Sequence, residues 1–142
     1  MVRSIARPIS MARHPIRSML LPVPIVCFVG GLLTDLAYVN SGGNLLWVNF
    51  SSWLIAAGLA FGAVAILVLL IDGLRGASPW LPFAMIVAAW LAEFVNALIH
   101  ARDGWTAVVP IGMTLSILGT LLVLTGGWLS RSTTRPATED VR

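Results

Sequence analysis

The sequence predicts an all-α membrane protein, an up-down-up-down bundle of four transmembrane helices. Of its 142 residues, 58% are hydrophobic and 11% are charged, whereas a soluble domain is about 45–50% apolar and about 25% charged. Four apolar stretches of roughly 20 residues or more are each long enough to cross a hydrocarbon core of ~30 Å. The connections between them are short, which makes successive helices antiparallel neighbours.

The four predicted spans run from Met19 to Tyr38, from Leu45 to Ile71, from Pro79 to His100 and from Thr106 to Leu129. Each must be a helix, because backbone groups in lipid have no water to bond. The second span is long enough to require tilt. Prolines lie in the first turn or two of the other three spans, where a missing backbone donor costs least.

The charges divide the chain into a basic N-terminal tail (1–18), a transmembrane domain (19–129) and a C-terminal tail (130–142). Eight of the nine arginines lie in the two tails or, as Arg75, in the second connection, and only Arg102 lies on the other side. The positive-inside rule therefore predicts that both termini are cytoplasmic. Because the arginines flank apolar spans, they indicate contact with anionic lipid and no nucleic-acid partner.

The start of the chain has features of a signal peptide, since an arginine-rich segment precedes an apolar one. Two prolines interrupt that apolar segment, and no clear small-x-small cleavage site follows it. We expect an uncleaved first helix.

The third span carries the residues of greatest functional interest, Glu93, Asn96 and His100. Their spacing of three and then four places them on one face of the helix. Glu93 lies about 10 Å below the outer end of the span. An ionisable group at that depth costs at least a few kcal/mol unless it is paired, protonated or hydrated.

Polar residues of the other three spans are expected at the same level, forming a layer in the outer third of the bundle. These residues are Asn49, Ser52, Thr114, Thr34 and Asp35. One interpretation is a pocket for a proton, an ion or a small ligand that opens to the outside. The other is hydrogen bonding between helices, with Glu93 protonated or bonded to Asn49, worth about 0.6 kcal/mol per contact. The apolar inner half favours the second interpretation.

Candidate cofactor ligands are few. His14 precedes the first span on the cytoplasmic side and His100 ends the third span outside, so the pair lies about a membrane thickness apart. Cys27, the single cysteine, permits no internal disulfide and completes no zinc site. The sequence lacks a phosphate-binding loop, a nucleophile elbow and paired carboxylates. We expect no enzymatic activity and no cofactor or metal, with haem b as the alternative.

Small residues mark two faces suited to close helix approach. Gly58 and Gly62 form a GxxxG pattern in the second span, and Gly112, Ser116 and Gly119 form a stripe in the fourth. Packing within the chain is the expected use, and dimerisation is the alternative.

Two motifs carry a family resemblance. The first is RHPIRSMLLPVPI, from Arg13 to Ile25, followed by Thr34-Asp35, and the second is NALIHARDGWTAVVP, from Asn96 to Pro110. Together they resemble the bacterial membrane proteins called domain of unknown function 2231, whose opening reads His-Pro-x-His-Pro-Met-Leu-Val-Pro-Phe-Pro-Ile. The resemblance extends from about His14 to Trp128.

This resemblance implies four helices in a bacterial inner membrane, and it suggests a respiratory or haem link because some members adjoin redox modules. Arg17 and Ser18 stand where the family has its second His-Pro pair, and Pro82 stands where a histidine of the third span is expected. If the family uses those histidines for a cofactor, this chain has lost the site.

The sequence therefore predicts a non-catalytic accessory or interaction subunit of a larger membrane complex. Its expected partners are membrane lipids and other membrane-protein subunits or a second copy. One alternative is a haem- or quinone-linked redox subunit that uses His100, Asn96 or Glu93. A second is a small proton- or ion-coupled transporter that uses Glu93.

Overall fold

A computed structural model of the chain describes residues 15–76, 80–102 and 108–132. One short helix and four long ones follow each other along the chain: α1 (Pro15–Leu20), α2 (Pro22–Asn40), α3 (Leu45–Leu74), α4 (Trp80–His100) and α5 (Ile111–Ser132). The long helices form a ring in which α2 packs on α3, α3 on α4, α4 on α5 and α5 on α2. The predicted all-α, four-helix membrane architecture is confirmed.

All four long helices are apolar and long enough to cross a membrane. The candidate spans are Ser18–Asn40, Leu45–Leu74, Trp80–His100 and Ile111–Ser132. The predicted starts at Pro79 and Thr106 lie outside the described residues. We call the end of the bundle that carries the α2–α3 and α4–α5 connections the upper end, and the opposite end the lower end.

Local sequence accounts for the turn at the upper end between α2 and α3. Gly42 and Gly43 have φ angles of 69° and 91°, a region in which side chains are strained and glycine is not. Asn44 then caps α3, because its side chain accepts a hydrogen bond from the backbone N–H of Leu46 at 3.0 Å. This tight connection makes α2 and α3 antiparallel neighbours.

The α3 helix has 30 residues and ends later than the predicted Ile71. At about 45 Å it exceeds the thickness of a hydrocarbon core. It ends where Gly76 adopts a φ of 71°, a common way for a helix to stop.

Two apolar clusters fill the lower half and the middle of the bundle. The lower one comprises Leu21, Ala65, Leu69 and Ile86, and the middle one comprises Phe28, Ala89 and Val123. Many large apolar side chains, such as Leu33, Trp53 and Leu121, instead face outwards, as expected of helices surrounded by lipid. The buried polar side chains of greatest interest lie above these clusters.

Candidate functional site

Six buried polar side chains meet in the upper third of the bundle, and all four long helices contribute to them. We call this set the polar layer. Its members are Asp35 of α2, Ser51 of α3, Glu93, Asn96 and His100 of α4, and Ser116 of α5. Each is at most 1% exposed.

An ion pair between Asp35 and His100 forms the upper part of the layer. The Nε2 atom of His100 lies 2.9 Å from Oδ1 of Asp35, and its Nδ1 atom lies 3.0 Å from the backbone oxygen of Asn96. Both ring nitrogens face acceptors, an arrangement in which an imidazolium donates from each nitrogen. Ser51 also donates to Oδ1 of Asp35, at 2.5 Å.

A chain of hydrogen bonds links this pair to Glu93, about two turns lower. Ser116 donates to Oδ2 of Asp35 at 2.5 Å and accepts from Nδ2 of Asn96 at 2.7 Å. The same Nδ2 group donates to Oε2 of Glu93 at 2.9 Å. The Ser116 hydroxyl and the Asn96 amide therefore join α2, α4 and α5 around the carboxylate of Asp35.

Two buried oxygen atoms of the layer have no hydrogen-bond partner, Oε1 of Glu93 and Oδ1 of Asn96. Such atoms are rare in folded proteins and point to a missing hydrogen or ligand. The Glu93 carboxyl lies directly against Gly119 of α5, where an added Cβ atom would collide with it. Gly119 therefore makes room for this carboxyl group.

Four of the residues predicted for this layer lie in it: Glu93, Asn96, His100 and Asp35. The expectation that Asn49 and Ser52 join them is wrong. Asn49 lies on the exposed surface, and the hydroxyl of Ser52 donates to the backbone oxygen of Val48 in its own helix. The hydrogen bond expected between Glu93 and Asn49 is therefore not formed.

Threonine hydroxyls predicted for the layer bond to their own backbone instead. Thr34 donates to the carbonyls of Gly30 and Gly31, and Thr114 donates to that of Pro110. These local bonds satisfy the hydroxyls without any partner from another helix.

Sequence reasoning missed Ser51 and assigned Ser116 to packing alone. A signal for Ser51 was present, because it precedes Gly58 by seven residues and Gly62 by eleven, which places all three on one helical face. Asn49 lies about 200° around the helix from Ser51.

The packing glycines lie at contacts inside the bundle. An added Cβ atom at Gly58 would collide with the ring of Phe28, and one at Gly62 would lie 2.8 Å from the ring of Trp90. Gly112 is also buried.

The described residues do not fit a haem, since both ring nitrogens of His100 are bonded to protein acceptors. His14 lies outside the described residues. Within them, no group of three or more His, Cys, Asp or Glu side chains is arranged to hold a metal ion.

A surface cavity of about 320 Å³ lies on α3 near the upper end. Asn49, Ser52, Trp53 and Ala56 line it. None of these residues belongs to the polar layer.

Comparison with known proteins identifies the family. Residues 13–133 match the model of the family described as Predicted membrane protein (DUF2231). The match covers most of the chain, so the chain belongs to this family, and the resemblance of its two motifs is confirmed. Comparisons with curated proteins and with solved structures gave no match.

Proposed function

We propose that this member of the DUF2231 family is a non-catalytic accessory or interaction subunit of a larger membrane complex. We place it in a bacterial inner membrane with both termini in the cytoplasm, following the distribution of its arginines.

The observation that carries the proposal is that the polar layer bonds to itself. A binding or catalytic site presents a few polar groups to a cavity. Here the six side chains are buried against one another, and the cavity on α3 is lined by other residues. Below the layer, Phe28, Ala89 and Val123 fill the centre of the bundle with apolar atoms. The polar groups therefore hold the helices together.

The interaction in this proposal takes place on the outer faces of the helices. Each long helix carries a large exposed apolar side chain that is suitable for mapping it. These positions are Leu33 on α2, Trp53 on α3, Leu98 on α4 and Leu121 on α5. The expected partner is another membrane protein or a second copy of this chain. Lipid surrounds the helix faces that the partner does not cover.

Photo-crosslinking at these four positions tests the proposal. A photoreactive amino acid replaces one residue at a time, and membranes of cells that express the protein are irradiated before purification in a gentle detergent. We expect a discrete protein adduct at one or two faces and none at the others, with an unirradiated sample as control. The proposal would be contradicted if none of the four positions gave an adduct and the protein purified alone as a monomer.

A small proton- or ion-coupled transporter is the second candidate function. The unpartnered Oε1 atom of Glu93 favours it, because unsatisfied ionisable groups within membranes mark ion pathways. Proton or ion flux into liposomes should then fall in the Glu93→Gln variant. Equal flux in the variant and the wild type removes this candidate.

A further inference from the structure

The polar layer has no hydrogen left for its two unpartnered oxygens. The Nδ2 group of Asn96 gives its two hydrogens to Ser116 and Glu93, and the Ser116 hydroxyl gives its one hydrogen to Asp35. The two ring hydrogens of His100 go to Asp35 and to a backbone carbonyl. Oε1 of Glu93 and Oδ1 of Asn96 are both acceptors, and they remain unsatisfied.

The charges of the layer also fail to balance if Glu93 is a carboxylate. The groups that face Glu93 are Asp35 from α2 and His100 from its own helix, and their charges cancel. Ser51 of α3 and Ser116 of α5 contribute only hydroxyls to the layer. An ionised Glu93 would therefore leave one net negative charge buried in the membrane, which is unfavourable.

We propose that Glu93 is a proton-binding site, with the proton on Oε1 and shared with the amide oxygen of Asn96. A hydrogen on Oε1 makes the carboxyl group neutral and turns that oxygen from an unpartnered acceptor into a donor, for which Oδ1 of Asn96 is an unpartnered acceptor. A bridging water would supply hydrogens but leave the charge. A divalent cation such as Ca²⁺ would need six or more oxygen ligands, and two are unpartnered here.

The proton controls the contact between α4 and α5. The carboxyl group of Glu93 packs against Gly119, where it meets helical backbone, whose N–H groups are already bonded within α5. A neutral acid is tolerated there, whereas a carboxylate has no donor for Oε1. Loss of the proton at alkaline pH should therefore weaken this contact. This property is independent of the proposed subunit role.

Infrared spectroscopy of the full-length protein in lipid tests the proton directly. The protonated carboxyl C=O band should be present in the wild type and lost in the Glu93→Gln variant. Gln places an N–H group where the acid has its O–H group, so the fold should be kept. The Asp72→Asn variant is the matched control, because Asp72 is buried at the lower end of α3. It should retain the band.

Thermal unfolding at rising pH gives a second measurement. The midpoint of the wild type should fall, on going from acidic to alkaline buffer, further than that of Glu93→Gln, and the two should agree below the unfolded-state pKa of a glutamate, about 4.3. The sign follows because a proton bound only in the folded state stabilises it, and this stabilisation is lost as pH rises. While Glu93 is protonated, both proteins present a neutral side chain to Asp35 and His100, so the difference between their two curves reports the loss of the proton from Glu93.

Three outcomes would overturn the inference. The first is a carboxyl band that is unchanged in Glu93→Gln. The second is an unfolding midpoint that falls equally in both proteins on going to alkaline pH. The third is an unfolding midpoint that is higher in sodium chloride than in choline chloride for the wild type alone. The last would identify a cation in place of the proton. If Glu93→Gln does not fold, the carboxyl band of the Asp72→Asn protein decides. This band should disappear at the pH above which the unfolding midpoint stops falling.

Discussion

A single carboxylate, that of Asp35, joins all four long helices. It lies on α2 and accepts hydrogen bonds from Ser51 of α3, His100 of α4 and Ser116 of α5. Hydrogen bonds to a charged group are stronger than those between neutral groups. Asp35 is therefore the residue on which the upper third of the bundle depends most.

The Asp35→Asn substitution should destabilise the protein by about 3–5 kcal/mol, because it removes one partner of a buried, hydrogen-bonded pair with His100. Unfolding by denaturant in detergent micelles measures the effect. Thr34→Val is the matched control, since the Thr34 hydroxyl bonds only to its own helix. The control should change stability by no more than about 1 kcal/mol. Equal stability of both variants would contradict the role of Asp35.

Helical periodicity predicted part of the polar layer from sequence. The spacing of Glu93, Asn96 and His100 was sufficient to place them on one face. The residue of α3 that joins the layer could not be assigned in the same way. Apolar residues occur on every face of α3, so hydropathy does not indicate which face points into the bundle. Ser51 was distinguishable from Asn49 only through the glycines that share its face.

At the scale of the elements, one face of α3 packs against both α2 and α4. Phe28 and Cys27 of α2 lie against Gly58, and Trp90 of α4 lies against Gly62. The indole N–H of Trp90 also donates to the backbone oxygen of Leu59 at 2.9 Å. Glycine at these positions lets large rings approach the helix backbone.

Gly58→Ala should destabilise the bundle by about 1–3 kcal/mol, because the new methyl group collides with the Phe28 ring. Gly73→Ala in the same helix is the matched control. Its Cβ atom would lie 3.4 Å from the Trp80 ring, which is close to ordinary contact, and alanine favours helix by up to about 1 kcal/mol. The two variants should therefore shift the unfolding midpoint in opposite directions, and a shift of equal size and sign would disprove the packing argument.

The sequence predicted the existence of each span better than its ends. Apolar length alone identified all four spans. The α5 helix begins at Ile111, after a turn in which the backbone N–H of Met113 donates to the carbonyl of Val108 and that of Thr114 to the carbonyl of Pro110. Such local bonds depend on the chain path and leave no clear mark in hydropathy.

The whole molecule is asymmetric along the membrane normal. The polar layer lies near the upper end, and the apolar clusters fill the middle and the lower half. Short connections were enough to predict the antiparallel arrangement, because they leave adjacent helices no alternative. We predict the direction of the bundle in the membrane from the arginines, most of which lie in the sequence segments that adjoin the lower end.

Cysteine labelling in cells tests this direction. Ser41 at the upper end and Ser132 at the lower end are both exposed, and each is changed to cysteine in a Cys27→Ser background. A membrane-impermeant maleimide should label the Ser41→Cys protein in intact cells and the Ser132→Cys protein only after permeabilisation, because the arginine-rich side stays in the cytoplasm. The reverse labelling pattern would show that the upper end of the bundle faces the cytoplasm. The polar layer would then lie near the cytoplasmic face, and Glu93 would exchange its proton nearest to the cytoplasm.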